Sequence, residues 1–321
     1  MIENLKILDY NILYKSTVYF IINNNVQYLN FEEGYMKKIF LLFMLCLFSQ
    51  FSFSKAELGK EYKLKTVLTV EGRQGIAVDE EFYYVSSSTA LFKYKKDGTL
   101  VQENKNPFTA LEKEANHFGD IDVWNGEIFT GIEIFDFGVS KNIQVAVYDA
   151  ETLEYKYSIP WNAESGQVEV SGLTVDRDRN MVWMSDWTKG RYLYRYDLTT
   201  KKYDGKLHLR PDPQYVQGIY CIDGKILITA DDGDADFDET DNIYIVDADD
   251  YSKTAGYVTL FREMKDFIRA GEIEGLSIDP TNSDLLVLSN RGTRIDRGMP
   301  VGFYPGYDKE IHELYIYEKV K

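Results

Sequence analysis

The sequence predicts an all-β fold, a five-bladed β-propeller whose last blade is completed by an N-terminal strand. A short apolar strand that opens with small residues recurs five times, at intervals of roughly 45 to 57 residues, and such a period with several strands per unit is typical of β-propellers. The fifth repeat lacks an outer strand, while an unassigned strand precedes the first repeat. The equivalent opening positions are Gly75, Asp120, Gly172, Gly218 and Gly275.

The first four repeats each divide into four strands, because runs with alternating apolar residues are separated by turns rich in Asp, Gly and Asn. From the innermost strand outwards, the predicted strands are 75–78, 82–86, 90–94 and 100–103 in the first repeat; 120–124, 127–134, 143–149 and 155–159 in the second; 172–175, 181–185, 192–196 and 203–209 in the third; and 218–222, 225–230, 242–246 and 256–261 in the fourth.

The fifth repeat supplies only three strands, at 275–278, 285–289 and 313–318. The run 65–70 is the candidate for its missing outer strand. Closure of this kind pairs both ends of the domain in one sheet and removes the free edges of an open array. A six-bladed ring is the alternative.

The N-terminal region has the pattern of a secretory signal peptide. Met36-Lys37-Lys38 is followed by an apolar run over 39–48 and by small residues up to Ala56, and the apolar run is too short to span a bilayer. We therefore interpret 1–35 as a mistranslated leader, with a genuine extra segment as the alternative, 36–56 as the signal peptide and 57–321 as a single propeller domain. The expected location is extracytoplasmic, either periplasmic or secreted.

Composition narrows the classes of partner. The 321-residue chain has 36 Lys and Arg against 52 Asp and Glu, a net charge of −16, so phosphate backbones and anionic membranes are poor partners. The alternative is that the charge only maintains solubility. Of its two cysteines, Cys46 lies in the predicted signal peptide, which leaves Cys221 as a small buried residue without a disulfide partner. We expect a monomer with no nucleic-acid partner and no membrane span.

One rim of the propeller is predicted to carry the site. The loops between second and third strands are long and polar, whereas the turns at the opposite face are short, such as Asn125-Gly126 and Asp223-Gly224. Long loops on a rigid scaffold are where binding and catalytic residues concentrate. The rim loops are 133–142, 186–191, 231–241 and 290–312.

Polar residues at the starts of the innermost strands are expected to ring the axis on this rim. They are Gln74, Asp120, Ser171, Gln217 and Glu274. Converging oxygen ligands without Cys or His suit a hard cation such as calcium, with ordered water as the alternative occupant. The acidic loop 231–241, including Asp231 and Asp232, is a second calcium candidate, although Phe237 stands where an EF-hand needs glycine. A solvated acidic loop is the alternative there.

His117 precedes the second innermost strand near Asp120, and a histidine beside a carboxylate can act as general acid or base. A hydrogen-bonding or packing role is the alternative for His117. We expect His117 and Asp120 as catalytic residues. The expected ligand contacts are Arg73, Gln74, Glu133, Trp187, Gln217 and Arg291.

Two pairs of strands carry a family resemblance. The segment Glu274-Gly275-Leu276-Ser277-Ile278-Asp279-Pro280 before 285–290, and Ser171-Gly172-Leu173-Thr174-Val175-Asp176 before 182–186, resemble repeats of the gluconolactonase and strictosidine-synthase-like propeller superfamily. The resemblance implies a divalent metal that polarises a lactone or ester, held by Glu274 with Asn290, Asp186 or Asp120 as companions. Six blades are usual in that superfamily, whereas five are counted here.

Two functions stay open at this point. The first is a secreted, calcium-containing propeller that binds a small polar or anionic ligand and hydrolyses an ester, lactone or phosphoester; the second is a non-catalytic envelope protein that binds glycans or peptides. The expected metal ligands are Asp120, Asp186, Asp231, Asp232, Glu274 and Asn290.

Overall fold

The computed structural model describes residues 15–22, 25–32, 56–136, 139–188, 190–268, 270–296 and 299–320. Two compact units divide the chain at residue 54. In the first, strands β1 (Lys15–Ile22) and β2 (Asn25–Glu32) form an antiparallel hairpin. The hairpin falls within the predicted leader. The predicted signal peptide lies outside the described residues up to position 55.

The second unit is a five-bladed β-propeller, as predicted, built from five antiparallel sheets in a ring. Its strands are β3 (Tyr62–Thr69), β4 (Gly75–Val78), β5 (Phe82–Ser86), β6 (Leu91–Lys95), β7 (Leu100–Asn104), β8 (His117–Trp124), β9 (Glu127–Asp136), β10 (Val139–Asp149), β11 (Tyr155–Pro160), β12 (Leu173–Asp176), β13 (Met181–Ser185), β14 (Tyr192–Asp197), β15 (Lys202–Arg210), β16 (Val216–Ile222), β17 (Lys225–Ala230), β18 (Asn242–Asp247), β19 (Ala255–Tyr257), β20 (Thr259–Glu263), β21 (Ile273–Ile278), β22 (Leu285–Arg291), β23 (Thr293–Asp296), β24 (Met299–Phe303) and β25 (Ile311–Lys319). Single 3₁₀ turns occur at Ala163–Ser165 and Ala235–Phe237.

The blades follow the order of the repeats. Blade 1 is β4-β5-β6-β7, blade 2 is β8-β9-β10-β11, blade 3 is β12-β13-β14-β15 and blade 4 is β16-β17-β18-β20, each from the axis outwards. Blade 5 is β21-β22-β25-β3, so the N-terminal strand pairs with the C-terminal one, from Glu313 opposite Thr69 to Lys319 opposite Tyr62. The predicted closure is confirmed.

The hydrophobic core lies between neighbouring blades, because each inner and middle strand buries both of its faces. Between blades 5 and 1, for example, Leu288 and Ile316 pack with Ile76 and Phe92. Four similar clusters fill the other four gaps around the ring. Burial on both faces explains why the inner strands read as continuous apolar runs.

Three details differ from the predicted strands. The predicted rim loop 133–142 is mostly strand, because β9 and β10 continue as a hairpin beyond the blade, with Val139 paired to Asp136. The predicted strand 256–261 is two strands: β19 pairs in parallel with β15 of blade 3, and β20 completes blade 4. The predicted loop 290–312 contains the hairpin β23–β24.

Two further findings concern Cys221 and membrane-spanning helices. Cys221 is buried on β16, the innermost strand of blade 4, and burial raises the pKa of its thiol. In the parts of the chain that the structure describes, no helix is long and apolar enough to cross a membrane.

Candidate functional site

The five innermost strands meet around a narrow axis, and glycines permit their close approach. A Cβ on Gly275 would lie 2.3 Å from Asp120 Oδ1 and 2.7 Å from the Cα of Gly75. A Cβ on Gly218 would lie 2.7 Å from the Cα of Gly275. The small residues that open the repeats are therefore required by the width of the axis.

Asp120 fills the space on the axis itself. Its Oδ1 accepts a hydrogen bond from the Ile121 amide at 2.9 Å, and its Oδ2 accepts one from the Ile219 amide at 3.1 Å. Burial raises the pKa of this carboxyl well above its usual range, although the amide bonds act in the opposite direction. Asp120, predicted as a catalytic and metal-binding residue, thus joins the inner strands of blades 2 and 4 and has no contact with solvent.

Above the axis lies a cavity of about 50 Å³ on the loop-rich rim. Its lining includes seven of the residues that the sequence analysis assigned to the site: Arg73, Gln74, His117, Glu133, Trp187, Gln217 and Glu274. Ser171, the polar opening residue of the third repeat, also lines it. Period-two side-chain alternation in strands that converge on one axis accounts for this grouping.

His117 and Glu133 form one wall of the cavity. His117 Nδ1 lies 3.7 Å from Glu133 Oε1 and has no hydrogen-bond partner within the described part of the chain. The imidazole packs against the ring of Phe135, with 5.3 Å between ring centroids. Glu133 Oε2 accepts the amide hydrogen of Val170 at 2.8 Å, which fixes the carboxylate in place.

Glu169 is a site residue that the sequence analysis missed. Its Oε1 accepts the Trp187 amide hydrogen at 3.0 Å, and burial together with the nearby carboxylates of Glu133 and Asp186 raises its pKa to about 8. Asp186 holds the backbone next to Glu169 in place, because its Oδ1 accepts the amide hydrogens of Val168 and Glu169, at 3.1 and 3.2 Å. Asp186, expected as a metal ligand, therefore holds the segment that carries Glu169.

Glu274 and its neighbours line the cavity from blade 5. Glu274 Oε1 accepts a hydrogen bond from Asn290 Nδ2 at 2.7 Å, and Asn290 Oδ1 has no partner among the described residues. Burial and the neighbouring Glu272 raise the pKa of Glu274 well above its usual range. Arg73 offsets the negative charge of Glu274 only in part, because its guanidinium is shared with two other acids. Its Nη1 lies 2.7 Å from Glu310 Oε1 and its Nη2 lies 3.9 Å from Glu272 Oε2.

The cavity adjoins an outer cleft of about 900 Å³, since Glu169, Trp187 and Glu272 line both. The described lining of this cleft holds six carboxylate side chains: Glu169, Asp231, Asp234, Asp236, Glu272 and Asp296. Its one described cation, Arg294, forms an ion pair with Asp236. Aromatic rings complete the wall, with Trp187 and Tyr215 5.6 Å apart between centroids and Tyr304 beside them.

The acidic loop 231–241 forms one side of the cleft. The carboxyl groups of Asp231 and Asp241 stand at its two ends. Ala230 pairs with Asn242 as the last pair of β17 and β18, so Asp231 and Asp241 follow next to each other. Burial, with Glu272 and Asp241 nearby, raises the pKa of Asp231, and burial raises that of Asp241 to about 7. Asp232 lies beside them, where its oxygens accept hydrogen bonds from Asn242 and Tyr244.

Arg291 does not line the cavity or the cleft. Its guanidinium makes a two-pronged ion pair with Glu313, at 3.0 and 2.9 Å. Because Arg73 and Arg291 are both bound to carboxylates of the fold, the cations expected to attract an anionic ligand are already neutralised. The site as built is strongly acidic.

The missed residues had a sequence signal. Glu169 and Glu272 each stand two positions before the polar residue that opens an innermost strand, Ser171 or Glu274. Residues two apart on an extended segment face the same side, so the same alternation that placed Ser171 and Glu274 also places these two acids on the axis. Phe135 lies two positions after Glu133 and so shares its side of the strand, but β9 was expected to end at Ile134.

Among the residues with described positions, no group of three or more His, Cys, Asp and Glu side chains is arranged to hold a metal ion. Five of the six expected metal ligands have carboxylate oxygens engaged by protein groups: Asp120, Asp186, Asp231, Asp232 and, through Asn290, Glu274. Glu274 and Asn290 remain as a contacting pair that faces the cavity from blade 5. No family model matches this chain, and no curated protein is similar to it.

Proposed function

We propose that the propeller binds a cationic, amine-bearing ligand at its axial rim. The observation that carries the proposal is the acidity of the described lining: six acidic side chains surround the outer cleft, and the single cation among its described residues is paired with one of them. Burial raises the pKa of Glu169, Asp231 and Glu272, so an ammonium group entering this site would favour loss of their protons and then interact with the resulting carboxylates in surroundings of low dielectric constant.

The shape of the site supports the same ligand class. The inner cavity of about 50 Å³ has room for an ammonium head group, and the 900 Å³ cleft has the size of small-molecule pockets. Trp187 and Tyr215 offer aromatic faces, which attract organic cations through cation–π interactions. Of the small polar or anionic ligands expected from the sequence, an anionic one would meet the opposite charge balance.

The test compares two probes of similar size and opposite charge, 2-phenylethylamine and 3-phenylpropionate, by isothermal titration and by the melting temperature. We expect the amine to bind and to raise the melting temperature, since a ligand that binds only the folded state stabilises it. The carboxylate is expected to do neither. Equal binding of both probes, or binding of the carboxylate alone, would contradict the proposal.

A pair of variants with equal change in net charge localises the site. Asp234→Asn with Asp236→Asn removes two cleft carboxylates, frees Arg294 and keeps a good N-cap at position 234. The matched control, Asp247→Asn with Asp249→Asn, changes two exposed acids by the turn at Gly224, remote from the cleft. Amine affinity should fall at least fivefold in the first variant and stay unchanged in the control.

A calcium site is a second candidate, favoured by one observation. Asn290 Oδ1 is a buried acceptor without a donor among the described residues, beside the Glu274 carboxylate. An amide oxygen and a carboxylate suit a hard cation, so Glu274 and Asn290 would hold calcium. Calcium there would polarise the carbonyl of an ester or lactone, which is the hydrolytic function expected from the sequence. Export through the signal peptide, also proposed, would bring this site to an extracytoplasmic compartment.

Thermal melts distinguish specific calcium binding from the general screening of charges by salt. Calcium chloride should raise the melting temperature of the chelated protein more than magnesium chloride at the same ionic strength. At a hundredfold excess over the dissociation constant, the gain is about 2.7 kcal/mol. Glu274→Gln should abolish the difference between the two salts, and identical melts in both salts would remove calcium from consideration.

A further inference from the structure

A second pocket, apart from the axial cavity, lies where blade 2 connects to blade 3. Its volume is about 530 Å³, within the range of small-molecule pockets. Strand β10 supplies Ser140 and Ile143, and the connection after β11 supplies Trp161, Gln167 and Val168. Among the described lining residues, only Val168 is shared with the acidic cleft.

Local backbone features shape the two sides of this pocket. On β10, the pairing with β9 shifts register between Lys141 and Gln144, so the strand bulges there. On the connection, Asn162 caps the 3₁₀ turn by accepting the Glu164 amide hydrogen at 2.9 Å, and Gly166 ends the turn with a φ of 72°. The bulge and the turn face each other across the pocket.

Three side chains of the lining carry a buried polar atom that has no partner in the described structure. They are Ser140 Oγ, Trp161 Nε1 and Gln167 Oε1. Gln167 is 1% exposed, and its Nε2 donates to the Glu169 carbonyl at 2.9 Å, which fixes the orientation of the amide. A buried polar group left without a partner costs about 1–3 kcal/mol, so three in one pocket call for a molecule that satisfies them.

The chemistry of these atoms defines the ligand. The indole N–H requires an acceptor, the amide oxygen requires a donor, and the serine hydroxyl takes either. The described wall also has apolar surface from Ile143, Trp161 and Val168; none of its described residues carries a carboxylate, and its one charged side chain, Lys141, is exposed. The matching molecule carries neutral groups that both donate and accept hydrogen bonds, arranged around a C–H skeleton that packs on an indole.

We propose that this pocket binds one pyranose ring of a carbohydrate. Ring hydroxyls meet Gln167 Oε1, Trp161 Nε1 and Ser140 Oγ, and the C–H surface of the sugar packs against the apolar wall. This site is independent of the amine site, because the two have different charges and share only Val168 among their described lining residues.

The experiment uses saturation-transfer-difference NMR on the full chain with three probes: methyl glucoside, methyl galactoside and N-acetylglucosamine. We expect transfer to the ring protons of at least one sugar. Trp161→Ala and Gln167→Leu should each weaken that binding at least fivefold, whereas Tyr257→Ala, at an exposed aromatic on β19 outside the pocket, should leave it unchanged. Melting temperatures of all variants establish that they fold.

If Trp161→Ala fails to fold, Trp161→Phe with Ser140→Ala takes its place, since this variant keeps an aromatic ring but lacks both polar atoms. Loss of sugar binding in this folded variant supports the site. Absence of transfer from all three sugars to the wild type would overturn the proposal and leave ordered water as the partner of these atoms. Unchanged sugar binding in the folded Trp161 variants would overturn it equally.

Discussion

At the scale of single residues, the structure separates acids that build the axis from acids that face the cavity. Asp120 and Glu274 both open innermost strands, yet the first accepts two backbone amide hydrogens on the axis and the second lines the cavity. Sequence reasoning treats them alike because both are polar openings of equivalent repeats. Only the approach of the neighbouring glycines shows that Asp120 has no room for a ligand.

The structural role of Asp120 gives a stability prediction. Asp120→Ala should destabilise the fold by about 3 kcal/mol, because two buried amides lose their acceptor and each costs about 1–3 kcal/mol. For a domain of this size, that lowers the melting temperature by roughly 6–12 °C. Differential scanning calorimetry measures it, with Asp308→Ala, at an exposed position, as the control. A melt as stable as the wild type would show that the axial contacts do not support the fold.

Glu169 gives a prediction about pH. Its pKa rises from near 4.5 to about 8 on folding, so between these values the folded protein binds a proton that the unfolded chain has lost. Stability therefore falls as the pH rises through this window. Glu169→Gln should remove that part of the fall, on the order of 3 kcal/mol at pH 8, since one unit of pKa corresponds to about 1.4 kcal/mol.

Urea unfolding at pH 5 and pH 8 measures this difference. Glu112→Gln, a change of the same charge at an exposed site, should keep the wild-type pH dependence. A Glu169→Gln protein that loses as much stability as the wild type between the two pH values would contradict the assignment of a protonated Glu169.

At the scale of elements, the repeats predict the blades because alternation and turn residues are local signals. The outer part of the β9–β10 hairpin does carry alternation in the sequence, since Phe135, Phe137 and Val139 are separated by single Asp and Gly residues, but the segment after Ile134 was assigned to a long rim loop. The division of 256–261 into β19 and β20 depends on a pairing with β15 of another blade, which is a tertiary contact. Local pattern predicts which segments are strands, whereas neighbours decide the sheet that each one joins.

Closure of blade 5 by β3 gives a prediction about cooperativity. Removal of residues 1–70 should abolish the cooperative melt, because β25 would become an unpaired edge and Leu68 and Val70 would leave the core between blades 5 and 1. Removal of residues 1–57 is the control and should preserve the melt. Circular dichroism and light scattering report unfolding and edge-to-edge association. A shortened protein that melts like the control would refute the closure.

At the scale of the whole molecule, the position of the site was predictable and its charge balance was not. Converging strands and long loops placed His117, Gln217 and Glu274 around one cavity. The sequence also suggested a small polar or anionic ligand, the anionic one because Arg73 and Arg291 were expected on the rim. Their partners Glu310 and Glu313 lie near the end of the chain, and such pairs of distant residues cannot be found from one sequence.

The net charge of −16 gives a prediction in which stability and binding respond to salt in opposite directions. Raising sodium chloride from 10 to 300 mM shortens the screening length from about 30 Å to under 10 Å. The melting temperature should rise, since repulsion among the 52 acidic side chains is screened. The affinity for 2-phenylethylamine should fall several-fold, because the attraction of the cleft carboxylates is screened as well. Asp234→Asn with Asp236→Asn should show a smaller fall. Affinity that does not change with salt would mean that apolar contacts, and not the carboxylates, recognise the ligand.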